Sequence, residues 1–137
     1  MIRHYAALWK KETVVLIGYS LGADIVPFAA NRLNEELQSR VKLITLLGPG
    51  LQVDFEFHLS NWLGSSSKTA LPTKPEVIKL ANTPVLCIYG AQETDSLGPD
   101  LQGSNFKKAA LPGAHHFGEI YEQITQRILR EMKEPAR

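Results

Sequence analysis

The alternation of apolar and polar positions along the chain predicts short strands separated by helices. Ile2, Tyr5, Ala6, Leu8 and Trp9 have the spacing of one apolar helix face over residues 2–11, and Lys10 and Lys11 fall in its last turn, where cations favour the helix dipole. Residues 14–18, Val-Val-Leu-Ile-Gly, are a brief apolar run that predicts a buried strand. Leu21, Ile25, Phe28, Ala29 and Leu33 then trace a second helical face. Pro27 lies inside that helix, where it removes a hydrogen bond and predicts a bend. Asn34 is the expected end, although residues 35–37 could continue the pattern.

Residues 41–48 are rich in strand formers and closed by Gly48-Pro49-Gly50, which predicts a strand buried on both faces and paired with strand 14–18. Residues 53–59 alternate strictly between apolar and polar, the pattern of a half-exposed strand in an edge or lid. Residues 64–75 read as a loop, with Pro75 the first residue of a short helix through Leu80. Residues 84–90 repeat the strand-then-glycine signal, and residues 106–111 can form one more strand. A final helix carries Tyr121, Ile124, Ile128 and Met132 on one face, with Lys133 and Arg137 near its C-terminal end. Strands alternating with helices predict an α/β fold with a mostly parallel sheet flanked by helices.

The first strand runs straight into Gly18-Tyr19-Ser20-Leu21-Gly22, and a helical pattern follows at once. Strand, G-x-S-x-G and helix in succession form the sequence signature of a nucleophile elbow. Glycines are expected at 18 and 22 because so sharp a turn leaves no room for a Cβ. The turn would lift the Ser20 hydroxyl clear of the sheet and aim the backbone N–H of Leu21 at a developing oxyanion. Past strand 84–90 comes an acidic loop with Glu93 and Asp95, and past strand 106–111 comes Pro112-Gly113-Ala114-His115-His116-Phe117-Gly118. Serine, acid and histidine thus follow one another in the α/β-hydrolase order, each just beyond a strand end. Such a set is chemically coherent: histidine takes the serine proton, the carboxylate fixes the imidazole tautomer, and serine attacks an acyl carbon.

Within each pair the sequence leaves a choice. Asp95, the shorter carboxylate and followed by Ser96, is preferred as the acid, with Glu93 as alternate three residues after Gly90. His116 precedes Phe117 in the arrangement Gly-x-x-His-Phe and is preferred as the base, with His115 as alternate or as a residue that holds the loop through backbone bonds.

Composition narrows the partners. A chain of 137 residues, 44% hydrophobic and 21% charged, suits a single domain, and a formal charge of +1 gives no electrostatic reason to expect nucleic acid. Cys87 stands alone, which excludes an internal disulfide and gives no metal-ligand spacing, so neither metal nor cofactor is expected. No stretch approaches the roughly 18 apolar residues of a membrane helix, and residues 1–5 contain no secretory apolar core, so a literal reading places the chain in the cytoplasm. His58 is expected to be solvated, His4 has no partner to name, and Trp62 reads as a packing anchor in the lid region.

The segment from Gly18 to Phe28, with Asn31-Arg32-Leu33 after it, resembles the bacterial virulence protein family VirJ/AcvB. Asp54-Phe55-Glu56, Trp62-Leu63-Gly64, Cys87-Ile88-Tyr89-Gly90 and residues 111–117 extend the resemblance over nearly the whole chain. It implies an α/β-hydrolase fold, a periplasmic parent linked to virulence and type IV secretion, and hydrolysis of an aminoacylated phospholipid such as lysyl-phosphatidylglycerol. By the same resemblance Ser20 is the nucleophile, the loop at Glu93 to Asp95 supplies the acid, and His115-His116 supply the base. Asp24, Asp54 or Glu56 could receive the cationic lysyl group, although Asp24 also suits a helix start.

Members of the family carry further strands and a glycine-rich oxyanion loop before the helix at residues 2–10, and a second cysteine near the position of Gly98. The resemblance therefore implies the C-terminal portion of the domain, truncated at its N-terminus, with one edge of strand 14–18 exposed, an incomplete oxyanion hole and Cys87 free. An inactive binding module, or a non-functional fragment, is the alternative to a serine hydrolase.

Overall fold

The computed structural model describes residues 1–55 and 70–133. His58, Trp62, and most of both the strand expected over residues 53–59 and the loop from Gly64 lie outside the described residues. The first element, α1 (Ile2–Leu8), ends early because Lys10 adopts a left-handed backbone (φ 52°). Its apolar face was expected to be buried, but only Ala6 is; Tyr5, Leu8 and Trp9 stay exposed, with the Tyr5 and Trp9 rings 4.9 Å apart.

Four parallel strands make the sheet, in the order β1 (Val14–Tyr19), β2 (Val41–Leu47), β5 (Val85–Gly90), β6 (Phe106–Leu111). The pairing of β1 with β2, Leu16 opposite Ile44 and Tyr19 opposite Leu47, is the one the sequence predicts. β1 lies at the sheet edge, so it is only half-buried where its apolar run predicts full burial, and Ile17 and Tyr19 are exposed. The exposed flank of β1 is the one the resemblance implies, and no charge or proline blunts it.

The period of two along the central strands divides the core into two layers. Ile44 and Leu46 of β2 and Val85 and Cys87 of β5 face a cluster with Ala23 and Ala30 of α2 (Leu21–Asn31) and Val77 of α4 (Lys74–Ile78). Leu43, Leu86 and Ile88 face the opposite way, against Ile124 and Ile128 of α5 (Tyr121–Lys133). Because Cys87 is buried in the first layer, desolvation pushes its thiol up to about 12, so it behaves as a small apolar filler.

Several boundaries differ from the expected ones for local reasons. α2 continues through Pro27 but stops at Asn31, and Asn34 starts the next helix, α3 (Glu35–Gln38), by accepting the Leu37 N–H at 3.1 Å. A side-chain cap thus turns the 35–37 pattern into a separate turn. The strand expected over 53–59 begins as β3 (Gln52–Val53), which pairs antiparallel with β4 (Leu71–Pro72). In α5 the buried positions are Ile124, Ile128 and Glu131, whereas Tyr121 and Met132 are exposed. The Glu131 carboxylate is tied to Lys107 Nζ of the edge strand at 2.7 Å, so an ion pair occupies the position that the periodicity gave to an apolar residue. On the other layer, Glu76 of α4 clamps α2; bonds from Lys79, Asn31 and Arg32 pull its carboxyl down to about 2.

The two motif glycines differ. A Cβ at Gly18 would sit 2.3 Å from the carbonyl oxygen of Gly22, backbone against backbone, whereas a Cβ at Gly22 meets nothing within 4 Å. The expectation that both positions exclude a side chain therefore holds for Gly18 alone. Gly18→Ala should lower stability in urea unfolding by about 2–3 kcal/mol or more. Gly22→Ala, a helical position, should be neutral or gain up to about 1 kcal/mol.

Candidate active site

Ser20 occupies the single residue between β1 and α2, with φ 53° and ψ −124°, a conformation that costs a non-glycine residue roughly 1–3 kcal/mol. Its backbone is held from both sides. Its N–H donates to Leu47 O at 2.9 Å, while its own carbonyl accepts from Ala23 N at 2.8 Å and Asp24 N at 3.2 Å. The turn projects the hydroxyl away from the sheet toward the loop that follows β6. Leu21 opens α2, so its N–H has no partner within the helix and is available to an oxyanion beside Ser20.

His115, not His116, reaches the serine: its Nε2 lies 2.8 Å from Ser20 Oγ. Its Nδ1 lies 2.5 Å from Oε1 of Glu93, not of Asp95. A carboxylate only accepts, so Nδ1 carries the proton and Nε2 is left to accept from the serine hydroxyl. Glu93 is held in turn: its Oε2 accepts the Gly90 N–H at 2.7 Å, and its side chain is almost fully buried. Both preferences drawn from the sequence therefore differ from the arrangement found.

The physical reasons are local. Glu93, three residues beyond Gly90, folds back onto the N–H that ends β5, a bond that fits the longer side chain, while Asp95 has moved on to the exposed rim. His116 turns the other way, and its Nδ1 meets the Tyr19 hydroxyl at 2.9 Å.

Two glycines that the sequence reading assigned only to turns make room for this set. Gly48 (φ 61°) would place a Cβ 3.0 Å from the His115 ring and 3.6 Å from Glu93 Oε1. At Gly90 a Cβ would lie 2.5 Å from the Ala114 carbonyl oxygen, so the acid and histidine loops approach this closely because residue 90 has no side chain. Their contact is sealed by Ala91 N to Leu111 O at 2.7 Å and Gln92 N to Gly113 O at 3.1 Å.

Beside the three residues opens a cavity of about 430 Å³, lined by Asp24, residues 48–52, Glu93, Asp95, Ser96 and His115. Asp24 was read chiefly as a helix-start residue, but it does more. Its Oδ1 accepts the Gly50 N–H at 2.7 Å, tethering the loop after β2. That loop in turn accepts Leu97 N on Pro49 O at 2.8 Å and bridges Gly50 to Ser96, so the acid loop hangs from it. Burial raises the Asp24 carboxyl to about 6, against the lowering effect of the Gly50 bond.

The parallel sheet with helices on both faces, the strained serine turn and the serine–histidine–glutamate chain at the strand ends define an α/β-hydrolase fold. The profile of the bacterial virulence protein family VirJ matches residues 1–136, and the chain belongs to that family. Among solved structures, a candidate hydrolase from Agrobacterium vitis S4 aligns with a TM-score of 0.53 at 15% identity, covering 95% of this chain and 65% of that one. The monoacylglycerol lipase of Paleococcus ferrophilus aligns with a TM-score of 0.53 at 15% identity, covering 96% and 72% respectively. The pyrethroid hydrolase PytH gives 0.54 at 14% identity, covering 98% and 76%. The chain thus spans about two thirds to three quarters of the length of these neighbours, and at such identities the likeness is one of fold. A search of curated protein sequences gives no significant match.

Asp24 yields a pH signature. A carboxyl whose folded value is raised from 3.8 to about 6 favours the folded state while protonated; that contribution is fully present below pH 3.8 and is lost as pH rises through 6. Asn at this position still accepts from Gly50 but does not titrate. The melting temperature of Asp24→Asn relative to the parent should therefore rise between about pH 4 and pH 7 and level off above, as followed by differential scanning calorimetry.

Proposed function

We propose that this protein is a serine hydrolase that opens carboxylic esters by acyl transfer. The observation that carries the reading is the unbroken chain from Ser20 Oγ through both nitrogens of His115 to Glu93. In the first half-reaction His115 Nε2 takes the hydroxyl proton as Ser20 Oγ attacks the acyl carbon, and the Leu21 N–H faces the oxyanion. The imidazolium then gives the proton to the leaving alkoxide, and an acyl-serine remains. Water repeats the sequence: His115 accepts its proton, the acyl–Oγ bond breaks, and Ser20 recovers its hydrogen. Glu93 holds the tautomer and supports the imidazolium throughout, its own second oxygen fixed by Gly90.

For the substrate, the resemblance to the VirJ/AcvB family favours an aminoacylated phospholipid such as lysyl-phosphatidylglycerol, met in the periplasm. The cavity suits the cationic acyl part, since Asp24 and Asp95 stand on its walls together with His115. Among the described residues no helix is long and apolar enough to cross a membrane. A second reading, a hydrolase fold kept as a binding module for a secretion partner, draws on the exposed β1 edge and on Leu8, Trp9, Ile17 and Tyr19 at the surface.

A fluorophosphonate probe separates the two. The hydrolase reading expects covalent labelling mapped to Ser20 by mass spectrometry, abolished in Ser20→Ala and His115→Ala. Labelling should be slowed roughly 10²- to 10⁴-fold in Glu93→Gln, as for loss of the orienting acid in comparable triads. A folded chain that is not labelled would favour the binding module. Among esters, a preference for lysyl over uncharged acyl groups that disappears in Asp24→Asn would support the cationic substrate.

A further inference from the structure

Tyr19, the variable residue before the serine, and His116, the histidine left outside the proton-transfer chain, are bonded to one another at 2.9 Å. The Tyr19 ring also lies over His115, with centroids 5.7 Å apart and planes inclined by 25°. Tyr19 is half-exposed, and its hydroxyl also lies 3.5 Å from the His115 carbonyl oxygen. Phe117, buried and in a left-handed backbone conformation directly after the two histidines, has its ring centroid 6.3 Å from that of Tyr19.

We propose that Tyr19 and His116 form a positioning couple for His115. His116 anchors the phenol, and the phenol ring holds the imidazole in the plane that points one nitrogen at Glu93 and the other at Ser20. The physical basis is a count of degrees of freedom. Bonds at Nδ1 and Nε2 define an axis through the imidazole, and the ring can still rock about it. A flat aromatic face beside it removes that motion, and alignment of the base is what intramolecular proton transfer depends on. The same face lies within the distance at which an imidazolium is attracted to an aromatic ring, so the stack favours the cation formed during attack. His116 suits the anchor in either charge state, because Nδ1 accepts from the phenol when bare and donates to it when protonated.

This inference rests on His115 being the base, and the test separates the two claims. The rate of Ser20 labelling by a fluorophosphonate is measured with melting temperatures for Tyr19→Leu, Tyr19→Phe, His116→Ala, His116→Asn, the double variant Tyr19→Phe/His116→Ala, and the control His115→Ala. Tyr19→Leu, which loses the ring, should slow labelling about tenfold, and Tyr19→Phe and His116→Ala, which keep the ring and lose its bond to residue 116, about threefold each. The double variant should cost no more than Tyr19→Phe alone, because that change already cuts the link that His116→Ala removes. His116→Asn, which can still accept from the phenol, should restore most of the loss. Independently of labelling, the downfield proton NMR signal of His115 Nδ1–H should broaden in Tyr19→Leu and stay sharp in Tyr19→Phe.

Labelling abolished by His115→Ala but changed less than twofold by Tyr19→Leu would overturn the couple alone, as would single effects that multiply in the double variant. If Tyr19→Leu does not fold, the anchor variants and the asparagine rescue decide between the same two outcomes. A parent chain that is not labelled, or one labelled equally well after His115→Ala, would overturn the base and the couple together.

Discussion

Everything at the site depends on the absence of a side chain at Gly18. With 2.3 Å between an added Cβ and the Gly22 carbonyl oxygen, no other residue lets the chain turn from strand into helix within the single residue Ser20. The serine then bears a left-handed backbone that its surroundings must overdetermine. Three backbone bonds do so, one to the neighbouring strand and two into the helix it starts. The strain and the exposure of the hydroxyl have one cause.

Around that turn, alignment is achieved by backbone contacts between loops rather than by side chains alone. The acid loop, the histidine loop and the loop after β2 each leave the sheet at a strand's C-terminal end, and each is bonded to another. Asp24 ties Gly50, Pro49 accepts Leu97, and Gly90 allows Ala114 to approach. Parallel strands in register bring these loops to one edge. What remains for the side chains is a short hydrogen-bonded chain, and Glu93 is the member most firmly placed because burial and a backbone N–H both hold it.

The molecule is less settled on its other flank. β1 ends the sheet with an apolar edge, and α1 beside it in sequence turns Leu8 and Trp9 outward. The nucleophile strand of a hydrolase-type sheet is thereby open on one side among the described residues.

By itself the sequence determined the order of the four sheet strands and the main helices, the sharp turn at Ser20, and the two loops that carry Glu93 and His115. Those features follow from local rules: apolar runs of strand length, glycines at a turn, polar residues just past strand ends. It preferred Asp95 to Glu93 and His116 to His115, and the structure joins the other member of each pair to Ser20. Neighbours in a loop differ by direction rather than by type, and direction is set by which backbone N–H a carboxylate finds and which ring already fills the space. Nor could it show that Asp24 is a tether and Gly48 a floor beneath the imidazole, because each acts on residues distant in the chain. Periodicity failed at Met132, where the buried position belongs to Glu131, since an ion pair with Lys107 across the fold outweighs a local pattern. Types and order are written along the chain; the pairing of one histidine with one glutamate is a property of three loops meeting in space.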